Sequence, residues 1–283
     1  VIRAVTVGEA ARPWVPRARV VVYSGPLALL STCAAALAAG VLWGGPGATG
    51  AAFGVLATAA AAVPWWWLFR RVARAHNTAV TALGEGDDAG ARRTFRDLLA
   101  FAAQRGVAAP ALYNLGYLAL VGGDFLAAEA LLRAAAAALG ASRVAEESDL
   151  RALIDTRHAI ALARLGRLDE ADAVLATVSA DSMESHAHLA LSRALVDFQR
   201  GRHDAVVEQL DRHRALLART LAGELALLAV ALDAMAVRQL SGIYRGTVRR
   251  SALLPCSDAV RASVDRLLPG AAEVLPGPDD LVA

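Results

Sequence analysis

Ala111-Leu112-Tyr113-Asn114-Leu115-Gly116-Tyr117, followed by Gly123-Asp124-Phe125 and then by Ala128 and Leu132, is the stretch that decides the fold. Its apolar residues recur at helical spacing and do not alternate, so it reads as two helices around a turn. Gly123 supplies the break, because helices often end on a glycine whose backbone enters a left-handed conformation that side chains resist. Ala128 is small enough for the second helix to cross the first closely, and Leu132 fills the groove between them.

The same arrangement occurs three more times. Gly86-Asp87-Asp88, Gly166-Arg167-Leu168 and Gly201-Arg202-His203 share the form of the central turn, and the four glycines are separated by 37, 43 and 35 residues. Each glycine is followed five positions later by a small or β-branched residue (Ala91, Ala171, Val206) and four beyond that by a large apolar one (Phe95, Leu175, Leu210). The excess in the widest spacing is assigned to a longer loop from Gly140 to Leu150. Leu221 to Leu240 reads as a nearly all-apolar helix. Its internal charges, Glu224, Asp233 and Arg238, favour burial under a capping helix from Ser257 to Leu268 over a third membrane span. No segment shows the alternation of a strand, so the fold class is all-α.

Upstream the chain is written for a different solvent. From Val20 to Phe69 there are 50 positions without a charged residue or a histidine. Gly44-Gly45-Pro46-Gly47-Ala48-Thr49-Gly50 interrupts this run, and each flank is long enough for the roughly 20 residues a membrane-crossing helix needs. The reading is a cytoplasmic N-terminal segment at 1–19, a transmembrane helix at 20–43, a short non-cytoplasmic turn at 44–50 and a second transmembrane helix at 51–69. Arg3, Arg12, Arg17 and Arg19 precede the hairpin, Arg70, Arg71 and Arg74 follow it, and its loop has none, which places both ends in the cytoplasm. Trp65, Trp66 and Trp67 form an interfacial belt beside these arginines. A cleaved signal peptide is the competing reading of the first segment, with Ala36-Leu37-Ala38 as its small-residue site. In the second, Gly50, Gly54, Thr58 and Ala62 form a small-residue stripe that packs the hairpin or allows a homo-oligomer through the membrane.

The overall composition is a blend of these parts. The 283 residues are 56% hydrophobic and 20% charged, with a mean hydropathy of +0.42, which is incompatible with a disordered chain. All 29 basic residues are arginine, a pattern that GC-rich codon usage explains. The absence of lysine nevertheless excludes a Walker-A phosphate loop, a kinase lysine and a Schiff-base lysine. Beyond Arg74 there remain 22 arginines against 26 acids, a formal charge of −4, which gives no basis for nucleic-acid binding. Arg238, Arg245, Arg249, Arg250, Arg261 and Arg266 form one local basic cluster, read either as an ordinary surface or as a patch for an anionic partner. No metal motif, nucleophile elbow or cysteine pair occurs, and His186 and His188 lie on different helix faces. The expectation is therefore no catalytic residue, no metal and no cofactor.

The repeated turns and their small and large partners resemble the tetratricopeptide repeat family, whose unit is about 34 residues. The resemblance covers roughly 72–214, with Leu115-Gly116 and Gly166-Arg167-Leu168-Asp169-Glu170-Ala171 among its better matches. Ala79 and Ala194 stand where the family usually has glycine, and His203 replaces the usual turn aromatic. The resemblance implies a cytoplasmic α-solenoid of antiparallel helix pairs with capping helices over 72–268 and a tail at 269–283. It further implies a concave groove lined by the first helix of each pair. His76, Asn77, Tyr113, Asn114, Thr156 and Arg157 then fall at equivalent places, with Tyr117, Arg164 and Gln199 facing the same groove. Aromatic, amide and guanidinium groups together suit an extended peptide. The expected protein is a bacterial inner-membrane adaptor or scaffold that binds a protein or peptide in this groove. The alternative is a structural subunit of a membrane complex, assembled through the hairpin.

Overall fold

The computed structural model describes residue 67 and residues 70–83, 85–99, 105–140, 145–221, 223–241 and 258–275. The expected hairpin at 20–43 and 51–69, apart from Trp67, lies outside the described residues, as do its turn, the segment at 1–19 and the end of the tail. No described helix is long and apolar enough to cross a membrane.

Every regular element among the described residues is helical: α1 (70–83), α2 (Asp88–Leu99), α3 (Arg105–Val121), α4 (Phe125–Leu139), α5 (Ala145–Arg164), α6 (Leu168–Ala176), α7 (Met183–Gln199), α8 (His203–Thr220), α9 (Gly223–Ser241), α10 (Asp258–Leu267) and α11 (Ala271–Val274). They belong to two compact units, one ending at Leu112 and the other running on from Tyr113, so the boundary falls within α3. In the first unit α1 meets α2 edge-on through the rings of His76 and Phe95, 5.7 Å apart, beside buried Ala79 and Ala91. At the head of α1 the Arg71 guanidinium lies 5.4 Å from the centre of the Trp67 ring.

The four turns are built alike, for a reason of backbone bonding. Gly86, Gly123, Gly166 and Gly201 have φ of 82°, 81°, 76° and 76°. Each donates to the carbonyl three residues back, and the following residue donates to the carbonyl five back. In the second turn these bonds run from Gly123 to Leu120 at 3.0 Å and from Asp124 to Ala119 at 2.9 Å. In the third they run from Gly166 to Ala163 and from Arg167 to Leu162, both at 3.0 Å. This double closure satisfies carbonyls that a helix end leaves open and reverses the chain, provided the glycine is left-handed. Asp87 and Asp124 then cap the next helix, their carboxylates accepting from Gly90 at 2.9 Å and Ala127 at 3.1 Å. Arg167 and Arg202 occupy the same position without capping and pair with Glu170 and Asp197.

The small and large positions are buried in all four repeats: Ala91, Ala128, Ala171 and Val206, then Phe95, Leu132, Leu175 and Leu210. The residues seven before the turn glycines, Ala79, Gly116, Ala159 and Ala194, are buried too. At Gly116 the approach is closest, since a Cβ there would stand 2.7 Å from Leu132 Cγ.

In the second unit consecutive helices pack as antiparallel neighbours from α4 to α11, and α7 also packs on α5 and α9. Ala159, Leu162 and Ala163 of α5 join Ala171, Leu175, Leu189 and Val196 in one buried cluster. The loop expected over Gly140 to Leu150 is shorter, because α5 begins at Ala145. The helix expected over Leu221 to Leu240 is α9, packed under α10 and α11. The unit curls back on itself. Arg266 of α10 donates through Nε to the Val121 carbonyl at the end of α3, at 2.7 Å across 145 positions. Arg238 pairs with Glu273 and Arg261 donates to the Ala272 carbonyl, so three arginines of the expected basic cluster tie down the C-terminal helices.

Two substitutions separate the packing requirement from the backbone one. Gly116→Val is expected to cost about 1–3 kcal/mol by overpacking against Leu132, and part of that cost should disappear in a Leu132→Ala background. Gly166→Val meets no atom within 4 Å. It should cost about 1–2 kcal/mol from conformation alone, with no relief from Leu132→Ala. Denaturant titrations followed by helical circular dichroism check both, and equal relief in the two cases would refute the distinction.

Candidate functional site

The polar residues inside the second unit gather around Arg157. The α5 helix carries Thr156 and Arg157 into its contact with α7. There Ser192 donates to the Thr156 carbonyl at 3.2 Å and to its own helix at the His188 carbonyl, at 2.8 Å. Thr156, Arg157, His188 and Ser192 are all buried, and Arg157 is only 2% exposed.

The Arg157 guanidinium lies 5.8 Å from the centre of the Tyr117 ring on α3, a separation at which a cation is attracted to the ring face. Its Nη2 donates to Nδ1 of His188 at 3.3 Å. Because a guanidinium cannot accept, this bond fixes the histidine tautomer with its proton on Nε2, which lies 3.7 Å from the exposed Glu184 carboxylate. The Nε and Nη1 atoms of Arg157 are buried without a hydrogen-bond partner. Above them the partly exposed Tyr117 hydroxyl donates to Glu224 at the head of α9, at a long 3.4 Å. Burial foremost, then the Glu224 charge, pushes the Tyr117 phenol well above its usual range. Burial, reinforced by the Arg157 charge, holds His188 down at about 3, so its ring is neutral near pH 7.

A second cluster lies between α4 and α5. The buried Glu129 carboxylate has Arg133 at 3.3 Å, His158 at 3.6 Å and Arg167 at 3.7 Å. Arg151 donates to Asp155 one turn along α5 at 2.6 Å. Burial lowers the His158 pKa despite the Glu129 charge. The cluster is internally paired and joins consecutive helices, a structural arrangement. Among the described residues no group of three or more histidine, cysteine, aspartate or glutamate side chains is placed to hold a metal ion.

The structure thus distributes the expected groove residues over several settings. Tyr113, Tyr117 and Arg157 come together, with Tyr113 and Arg157 both felt electrostatically by the Tyr117 hydroxyl. Asn114 is half-buried on the same helix. Arg164, two turns beyond Arg157, lies 5.1 Å over the Phe125 ring and has a buried Nε without a partner. Gln199 is half-buried at the end of α7. In the other unit, His76 packs on Phe95 while Asn77 is exposed. Sequence reasoning missed His188 and Glu224. The available signal for His188 was its position, one helical turn before Ser192, the repeat equivalent of Arg157.

The chain matches no protein-family model, no curated protein and no solved structure.

His188 imposes an acid sensitivity. Above its ordinary pKa of 6.5 the ring is neutral whether the protein is folded or not. Below 6.5 the unfolded chain binds a proton that the folded site refuses until about 3, so stability falls as the pH drops through that window. His188→Gln retains an acceptor and removes the titration. Its unfolding free energy should decline less steeply than that of the unchanged protein between about pH 6 and pH 4, by about 1 kcal/mol per pH unit. Parallel slopes in denaturant titrations would remove His188 as the cause.

Proposed function

We propose that the protein is a membrane-anchored helical-repeat adaptor of tetratricopeptide type, which binds a protein or peptide partner through the inner face of its second unit and performs no reaction. The observation that carries this reading is the row formed by Tyr113, Tyr117, Arg157 and Arg164, in which guanidinium groups stack on aromatic rings with some donors unused. Catalysis calls for an acid, base or nucleophile facing a reacting atom, whereas this row offers stacking area and hydrogen-bond donors, the needs of recognition. The recurrent glycine-closed turns and the contacts of α7 with both α5 and α9 support a repeat architecture. The departures of Ala79, Ala194 and His203 from the family pattern account for a degenerate form of it.

The charge-free run at 20–69 and its arginine flanks support a bacterial inner-membrane anchor with the repeats in the cytoplasm. The Arg71 guanidinium over the Trp67 ring gives the second helix a cation and aromatic pair suited to the membrane interface. The rival reading, a subunit assembled through the hairpin, rests on the stripe from Gly50 to Ala62.

Three measurements on the full chain test this reading. The protein should resist carbonate extraction from membranes, and deletion of 20–69 should release it. A reporter fused after Ala283 should be active only in a form suited to the cytoplasm. Affinity capture in detergent should retain a specific partner that Tyr113→Ala weakens by about tenfold or more, the usual cost of a recognition aromatic. Extraction of the intact chain would overturn the anchor. Capture lost with Gly54→Leu and unchanged by Tyr113→Ala would transfer the function to the hairpin.

A further inference from the structure

We propose that the second unit is held closed by an autoinhibitory clasp between α10 and the end of α3, and that its inner face is reached only when the clasp parts. The inference rests on the reading of that face as a recognition surface and adds what controls it.

The side chains at the centre of that face are covered. Arg157 is 2% exposed and His188 5%, while Thr156 and Ser192 are fully buried, so a partner cannot stack on them or bond to them in this form. The Tyr117 ring of α3 lies 5.8 Å from the Arg157 guanidinium, and its hydroxyl donates to Glu224 at the head of α9. One turn further along α3, the Val121 carbonyl accepts from Arg266 Nε at 2.7 Å and from Ser263 Oγ at 3.5 Å, both on α10. Tyr117 and Val121 stand four positions apart, on one side of α3. The helices α9 and α10 therefore arrive on the same strip that carries the ring covering Arg157.

This contact is separable from the rest of the fold. In a helical-repeat array each helix pair is stabilised by its neighbours in sequence, and the helices from α4 to α11 pack in that way. The bonds from α9 and α10 to α3 instead cross 107, 142 and 145 positions, and they end on one hydroxyl and one carbonyl. The C-terminal helices hold together by other means. They pack on one another, Val264, Leu267, Ala271 and Val274 are buried, and Arg238 pairs with Glu273. Asp265 caps α11 by accepting from Gly270 at 3.0 Å and from Ala272 at 3.1 Å. Parting at α3 breaks the long-range bonds and leaves the sequential interfaces in place, a local opening short of unfolding.

One turn of the four is made to receive the clasp. At Gly86, Gly166 and Gly201 the space where a Cβ would stand is open. At Gly123 the Arg266 stem fills it, with Cδ at 3.2 Å and Cβ at 3.7 Å. The backbone bonds of that turn go to the carbonyls of Leu118, Ala119 and Leu120 and leave that of Val121 to the guanidinium. A cation there also meets the negative end of the α3 dipole. When the clasp parts, the Glu224 bond that restrains the Tyr117 ring parts with it, and the ring is released from Arg157.

The test uses the full chain in detergent and phenylglyoxal, a reagent for exposed guanidinium groups, with modification of Arg157 read by mass spectrometry. Amide exchange in α6, whose Ala171 and Leu175 belong to the buried cluster, reports global unfolding alongside. Arg266→Met keeps a stem over Gly123 and removes the donor. It should speed modification of Arg157 about tenfold, the weight of a hydrogen bond from a charged group. In a background of Cys33→Ser and Cys256→Ser, the pair Gly123→Cys and Arg266→Cys sets two Cβ atoms 3.7 Å apart, within disulfide range. Arg157 should be modified rapidly in the reduced form and about tenfold more slowly in the oxidised form, with the strain at position 123 common to both. Equal rates in the two forms would overturn the clasp, as would α6 exchange that changes by the same factor as Arg157. If the pair does not fold, Arg266→Met decides by the same comparison. Partner capture weakened by oxidation supports autoinhibition, and capture equal in both forms overturns it. No capture by either form, with Arg157 still governed by the disulfide, refutes the adaptor reading and supports the clasp alone.

Discussion

A helix that stops on a left-handed glycine, with two backbone bonds closing behind it, is the constraint on which the rest of this protein depends. The bonds fix the direction in which the next helix departs, so each pair is set by local chemistry before any distant contact forms. Once the direction is fixed, the two helices must cross at the small residue five positions on, and the large residue four further must fill the gap. Gly116 against Leu132 is the tightest case. An error at the turn would therefore misplace Leu132, the stack of α5 on α4 and the row of side chains that α5 carries.

The interior of the second unit has an unusual balance of costs. Glu129 has the guanidinium groups of Arg133 and Arg167 beside it together with the His158 ring, and Thr156 and Ser192 settle their hydroxyls on backbone carbonyls. Arg157 keeps two buried donors, Nε and Nη1, with nothing to donate to. Packing does not require it, since Ile154 and Ile160 on the same helix are equally buried and apolar.

Much of the architecture was legible in the sequence because it is local. Four glycines, four small residues and four large ones sit at fixed offsets, and helix geometry turns those offsets into contacts without help from elsewhere. The start of α5 was not legible, since its acids resemble a loop in composition. The site was half legible. Repeat alignment placed Arg157 and Tyr117 on one face, but whether a face is open depends on what lies across it. His188 and Glu224 arrive from α7 and α9, 31 and 107 positions from the side chains they touch. No periodicity within one repeat encodes such a distance, so the burial of Arg157 could not be read in advance.

The bond from Arg266 to the Val121 carbonyl gives the second unit a history as well as a shape. Helix pairs with short turns can assemble as they leave the ribosome, each on its predecessor, because their contacts are near in sequence. The closing contact spans 145 positions and cannot form until α10 has been synthesised. Until then the end of α3 keeps this carbonyl unclaimed. Vectorial synthesis thus leaves the end of α3 to be completed by the last helices made, and a chain stopped before α10 would keep its earlier helix pairs while lacking this closing bond.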